Sequence, residues 1–141
     1  MCSSDLYVAN PYEVKGDIVR AKEAGTILVC DRYLASSIAY GDAQGLDRGW
    51  LRDIQKYLPQ PDLTILLDIP PEVSARRKTA DRDKYERDLA LLARVRSSYL
   101  DQSAAKPQSE GGSGSPWLRL DGNRDRDAVA ADVQAAVLAM M

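Results

Sequence analysis

Apolar residues follow two patterns along the chain: some recur every three or four positions, and others form short continuous runs. The first pattern predicts amphipathic helices and the second predicts buried strands. Helices are expected at about 11–24, 34–40, 50–58, 89–103 and around Val129–Val137, and another begins at Pro70-Pro71-Glu72. Strands are expected at Thr26–Cys30, Leu63–Leu67 and Trp117–Leu120. This alternation predicts an α/β fold, a three-layer sandwich around a parallel sheet.

Glycine, proline and polar clusters mark the expected ends of these elements. Gly25 is expected to end the first helix, and Pro59 with Pro61 to end the third. The tract at about 102–116 is rich in Ser, Gly, Pro and Gln, which predicts a flexible connection before the last strand.

The predicted strand Thr26–Cys30 runs directly into Asp31 and Arg32. Ligands of α/β proteins bind at this carboxyl edge of the sheet. An arginine fork suits a phosphate or carboxylate, and Asp31 could orient the fork or help to hold a hydrated cation. An equally good interpretation is that Asp31 and Arg32 form a structural ion pair at the end of the strand rather than a ligand site. Hydroxyl groups nearby favour a polar ligand, and they belong to Ser36, Ser37 and Tyr40.

Three blocks of sequence, in this order and spacing, resemble thymidylate kinase. They are Asp31-Arg32-Tyr33-Leu34-Ala35-Ser36-Ser37-Ile38-Ala39-Tyr40, Pro61-Asp62-Leu63-Thr64-Ile65-Leu66-Leu67-Asp68, and the basic run that leads to Asp83-Lys84-Tyr85-Glu86. The resemblance covers nearly the whole chain but only about the carboxyl two thirds of the family's length. The Gly-x-x-x-x-Gly-Lys-Ser/Thr loop that cradles ATP phosphates in such kinases does not occur in this sequence.

The resemblance implies a nucleoside monophosphate kinase fold, P-loop kinase-like, with its first strands missing. We therefore expect an amino-terminally truncated domain at 7–141, with a lid at about 76–86, that is inactive by itself. Residues 1–6 show no periodicity and are expected to be a non-native start.

The activity implied by the resemblance is phosphorylation of dTMP to dTDP by ATP and Mg²⁺, a step in dTTP synthesis. Arg32 would bind the acceptor phosphate, and Asp31 would approach the metal through water. Arginines of the lid would stabilise the transferred phosphoryl group, which can contribute about 10³ to 10⁵ in rate; these are Arg76, Arg77 and Arg82. The acceptor nucleotide would contact Tyr7, Ser36, Ser37, Tyr40, Asp83, Tyr85 and Glu86. The ATP adenine would contact Gly122, Asn123 and Arg124.

Simpler alternatives stand beside these roles. The charged run at the lid could be a solvated helix face, Tyr7 a core aromatic, and the loop at 121–124 an ordinary turn and helix cap. Pro11 stands where the family commonly places an arginine that reads the thymine, which leaves the base preference open. Alternative functions are another deoxynucleoside or nucleotide kinase and a non-catalytic nucleotide-binding module.

Composition excludes several classes of function. The 141 residues carry a net charge of −2, which argues against nucleic acid as a partner, and contain no histidine, which removes histidine-based catalysis. No apolar run approaches the roughly 20 residues of a membrane span. Two cysteines give no disulfide framework and suit the cytoplasm. The family resemblance further implies a homodimer for the full-length protein.

Overall fold

The computed structural model describes residues 10–77, 88–105 and 115–141. Its helices are α1 (Lys15–Glu23), α2 (Leu34–Ala43), α3 (Arg48–Asp53), α4 (Pro71–Arg77), α5 (Leu89–Ala104) and α6 (Arg126–Leu138), and its strands are β1 (Thr64–Asp68) and β2 (Trp117–Asp121). Residues 10–13 are also helical. The order of helices and strands agrees with the predicted alternation except at Thr26–Cys30.

The two strands form a parallel pair. Thr64 lies opposite Trp117 at one end, and Asp68 lies opposite Asp121 at the other. The chain passes from β1 to β2 through α4 and α5, and α5 contacts both strands. Parallel strands need a crossover of this kind, so the structure confirms a mixed α/β arrangement with a parallel sheet. Both strands end in an aspartate at the same edge.

The hydrophobic core lies where α2 packs against α5. Ala39, Ala43, Leu91 and Val95 form a buried cluster, with Tyr40 and Tyr99 packed against it. Small residues on α2 let the two helix backbones approach closely. Burial of apolar surface, at roughly 25 cal/mol per Å², is the main force that holds the pair together.

Side chains of α5 also bind the backbone of α2 at both of its ends. Gln102 donates from Nε2 to the Ala35 carbonyl oxygen at 3.2 Å, and Arg94 donates from Nε to the Ala43 carbonyl oxygen at 3.1 Å. The later residue of α5 meets the earlier residue of α2, so the helices run antiparallel. These contacts fix the position of α2 along α5.

Helix ends follow the local chemistry of the sequence. Asp47, Asp88 and Asp125 cap α3, α5 and α6, because each carboxylate accepts a hydrogen bond from a backbone N–H in the first turn. Gly25 has φ 71°, the left-handed conformation that glycine adopts most readily after a helix. The predicted end of the first helix is therefore confirmed.

The predicted strand at Thr26–Cys30 is wrong for this structure. The segment has no strand pairing and is exposed, with Ile27, Leu28 and Val29 at 55%, 43% and 90% exposure. A strand needs a neighbour to receive its backbone hydrogen bonds. Across 10–77, 88–105 and 115–141 no strand lies beside this segment, although its residue types favour one.

Two helix predictions also need correction. The third helix ends at Asp53 rather than near Leu58, and two of the residues whose spacing predicted it, Trp50 and Tyr57, are exposed. Helix α2 extends past the predicted limit at Tyr40 to Ala43, and the turn follows at Gly45, where φ is 89°. Helix α5 agrees closely with its predicted range. In the part of the chain that the structure describes, no helix combines the length and apolarity that crossing a membrane requires.

Candidate functional site

The backbone turns sharply at Arg32, two residues before the start of α2. Arg32 has φ 60°, the one non-glycine residue with positive φ among those the structure describes. A left-handed conformation costs a side-chain-bearing residue roughly 1–2 kcal/mol. Such a conformation persists only where surrounding contacts impose it, and it is concentrated at functional sites.

The Arg32 guanidinium lies over the ring of Tyr40, with 5.1 Å between its central carbon and the ring centroid. This cation–π contact joins the loop before α2 to the second turn of that helix. Asp31 and Arg32 are both exposed, so a ligand can reach their charged groups. The structure therefore brings together three of the predicted site residues: Asp31, Arg32 and Tyr40.

The two predicted serines are placed differently. Ser36 and Ser37 are each only 6% exposed. The Ser36 hydroxyl lies 2.5 Å from the Tyr99 hydroxyl on α5, so it is already hydrogen-bonded within the protein. Burial raises the pKa of Tyr99, and the hydrogen bond with Ser36 acts in the opposite direction.

Tyr99 was missed as a site residue because its spacing fits the apolar stripe of α5. Its neighbours include Tyr40, Arg32 and Asp31, each of which influences its charge state. The available signal was the hydroxyl itself, since a buried tyrosine usually finds a hydrogen-bond partner.

A second cluster forms at the carboxyl end of β1 around Asp68, whose side chain is 9% exposed. Arg96 binds both carboxylate oxygens, from Nε at 2.6 Å and from Nη2 at 3.1 Å, and Arg119 Nη2 binds Oδ2 at 2.6 Å. The hydrogen bond from Arg96, followed by that from Arg119, holds the pKa of Asp68 below its usual range. Sequence reasoning missed this cluster, although an aspartate that ends an apolar run was the signal used for Asp31.

Arg77 joins the end of α4 to the loop after β2. Its Nη1 donates to the Gly122 carbonyl oxygen at 2.9 Å, and its Nη2 donates to Asn123 Oδ1 at 3.3 Å. Arg76 is exposed, whereas Arg124 pairs with Asp132 on α6. The start of the predicted lid and the predicted adenine loop are therefore in contact.

Several predicted residues lie outside the described part of the chain: Tyr7, Arg82, Asp83, Tyr85 and Glu86. The same holds for segment 1–6, for most of the lid and for 106–114 of the predicted connection. Within the residues that are described, no three side chains of His, Cys, Asp or Glu are grouped as a metal site.

Comparison with known proteins adds to this geometry. The family model described as thymidylate kinase matches residues 4–109. This chain belongs to the thymidylate kinase family. It is 38% identical over 145 aligned positions to the thymidylate kinase of Thermomicrobium roseum, covering 96% of this chain and 66% of that relative.

Two further relatives, each named a probable thymidylate kinase, are also similar. A probable thymidylate kinase of Pyrococcus abyssi is 44% identical over 98 residues, covering 67% of this chain and 48% of the relative. A probable thymidylate kinase of Sulfolobus acidocaldarius is 40% identical over 82 residues, covering 57% of this chain and 42% of that relative. The chain thus spans about half the length of these two relatives.

Proposed function

We propose that this chain is the acceptor-nucleotide and lid part of a kinase that transfers a phosphoryl group from ATP to dTMP, giving ADP and dTDP. The observation that carries the proposal is the exposed Arg32 guanidinium, placed over Tyr40 beside the amino terminus of α2. An arginine and a helix amino terminus both attract phosphate. Membership of the thymidylate kinase family supports the choice of nucleotide.

In the acceptor site, Arg32 binds the dTMP phosphate and Tyr40 packs beside the sugar, where it disfavours a 2′-hydroxyl. Tyr7 stacks on the base. Stacking of an aromatic ring on a base contributes roughly 1–3 kcal/mol. Asp83, Tyr85 and Glu86 line the lid side of the same nucleotide.

In the donor site, the loop of Gly122 and Asn123 contacts the adenine of ATP. The hydrogen bonds from Arg77 give this loop its position, which supports a binding role for Arg77. Arg76, whose side chain is exposed, and Arg82 are then the stronger candidates for stabilising the transferred phosphoryl group. An arginine in that role acts by electrostatic stabilisation of the equatorial oxygens.

The residues present fit a magnesium ion, which proteins commonly bind through one or two carboxylates together with the substrate phosphates. Asp31 is an exposed carboxylate next to Arg32 and would hold the ion through water. When bound, the ion supplies positive charge to the phosphate oxygens.

The complete domain would be a P-loop kinase-like three-layer sandwich and a homodimer. Because the Gly-x-x-x-x-Gly-Lys-Ser/Thr motif does not occur in this sequence, the 141-residue chain would bind dTMP without turning over ATP. The same observation favours the second candidate, a nucleotide-binding module without catalysis.

The test is an ADP-release assay with dTMP, dUMP and dCMP on this chain and on the chain joined to a P-loop segment. We expect only the joined protein to release ADP, and to prefer dTMP. A folded joined protein that binds a nucleotide without turnover would favour the binding module. One that turns over dCMP or dUMP better than dTMP would contradict the substrate assignment.

Arg32→Lys should weaken dTMP binding by the chain itself, measured by calorimetry, because lysine cannot form the bidentate phosphate contact. Arg126→Lys is the matched control, since the Arg126 side chain is 96% exposed on α6. Equal losses in both variants would count against a phosphate site at Arg32.

A further inference from the structure

The first turn of α2 is bound from behind by two side chains of α5. The Tyr99 hydroxyl lies 2.5 Å from Ser36 Oγ, and Gln102 donates to the carbonyl oxygen of the preceding residue, Ala35. Ser36 and Gln102 are 6% and 5% exposed. These contacts are therefore shielded from water and set the position of this turn.

Tyr99 also packs against the same apolar cluster as Tyr40, the residue whose ring supports the Arg32 guanidinium. Ser36 and Tyr40 are four residues apart on α2, so they lie on one side of the helix. A contact that fixes Ser36 thus also fixes the ring under Arg32.

We propose that Tyr99 is a positioning residue of the acceptor site, which acts through Ser36 and Tyr40 on the placement of the Arg32 guanidinium. The assignment of this site to dTMP rests on the function proposed above. Tyr99 itself need not touch the nucleotide. Its effect reaches the ligand through the position of Arg32.

The strained backbone of Arg32 makes this dependence stronger. A residue held at φ 60° is kept there by its surroundings, so a small movement of α2 changes the direction of its side chain. A buried hydroxyl that loses its partner also favours local rearrangement, because an unsatisfied polar group is unfavourable in the interior.

The experiment uses Tyr99→Phe, Ser36→Ala and the double variant, with Tyr57→Phe as the matched control. Tyr57 is 68% exposed, and its substitution makes the same chemical change away from α5. The first readout is the Arg32 Nε–Hε signal in a ¹H–¹⁵N NMR spectrum of the 141-residue chain, assigned by its loss in Arg32→Lys. The second is the dissociation constant for dTMP.

We expect the Arg32 signal to move in Tyr99→Phe and in Ser36→Ala and to stay in place in Tyr57→Phe. Each single variant should weaken dTMP binding about fivefold, as for one lost hydrogen bond. The double variant should be no weaker than either, because both changes remove the same contact.

An unchanged Arg32 signal in both single variants would overturn the proposal and leave Tyr99 as a packing residue. If the unmodified chain binds dTMP, an unchanged dTMP affinity in both variants would overturn it as well. If the signal moves but the unmodified chain binds no dTMP, Tyr99 still positions Arg32, and the proposed function is what fails. Should Tyr99→Phe not fold, Ser36→Ala decides the question.

Discussion

The α2–α5 helix pair and the segment Thr26–Cys30 contain similar apolar residues but lie in opposite environments. At the helix contact, Ala39 has no exposed surface and Val95 is 5% exposed. In the segment, Val29 is 90% exposed and its backbone has no neighbouring strand among the described residues. Arg32 lies at the junction between these two regions.

The difference comes from how each element satisfies the hydrogen-bonding groups of its backbone. A helix forms its hydrogen bonds internally and needs only one covered face, which α2 and α5 provide for each other. A strand depends on a second strand for the same bonds. The proposed acceptor site is thus supported from the α2 side by the contacts with α5, whereas the segment Thr26–Cys30 that leads to it has no such support among the described residues.

The largest difference in the free energy of unfolding should appear when the same substitution, leucine to alanine, is made in each of the two regions. Leu91→Ala should cost about 2–5 kcal/mol in the free energy of unfolding, because Leu91 is part of the buried cluster. Leu28→Ala should cost about 1 kcal/mol or less, since Leu28 is already 43% exposed. Urea denaturation measures both. Equal costs would mean that Leu28 is covered in solution.

The β1–β2 pair lies between these extremes, because each strand has one neighbour among the described residues and Asp68 binds arginines from α5 and β2. Asp68→Asn should cost about 1–3 kcal/mol at neutral pH, as for hydrogen bonds to a charged group. Asp62→Asn should cost less than about 1 kcal/mol, because the Asp62 side chain is 72% exposed beside Lys22.

The pH dependence of the Asp68 variant sharpens this prediction. The pKa of Asp68 is lowered in the folded protein from a reference value of 3.8. Its stabilising contribution is therefore fully present above that value and is lost as the pH falls through the lower folded pKa. Melting temperatures of the chain and of Asp68→Asn should converge below about pH 4. A difference that persists undiminished in strong acid would argue against this ion pair.

The smallest effect concerns the junction itself. Arg32→Gly and Arg32→Ala both remove the guanidinium, but only glycine adopts φ 60° without steric cost. We expect the glycine variant to be more stable than the alanine variant by about 1 kcal/mol, with dTMP binding lost in both. Thermal unfolding compares them. Equal stability would indicate that position 32 does not keep its left-handed conformation in solution.

Much of the fold could be predicted because its signals are local. The helix end at Gly25 and the periodicity of α5 each depend on residues close in sequence. The position of α2 was predicted from the same kind of signal, whereas the sheet edge expected at Asp31 and Arg32 depended on the Thr26–Cys30 strand, which is absent from the described structure.

The features that were not predicted correctly depend on residues that are distant in the sequence. Whether Thr26–Cys30 pairs as a strand depends on a partner that its own sequence does not specify. Tyr99 and Arg96 reach Ser36 and Asp68 from distant parts of the chain, so no local pattern could connect them. The roles of Tyr7 and of the lid residues after Arg77 stay predictions.

The exposed segment before α2 has a consequence for proteolysis. Proteases cut exposed segments between helices, and Thr26–Arg32 is exposed between α1 and α2. Limited digestion should cut the chain within this segment, separating α1 from α2. A nucleotide that binds Arg32 would slow cleavage of the peptide bonds in this segment. The rate of digestion would then report occupancy of the site without any measurement of catalysis.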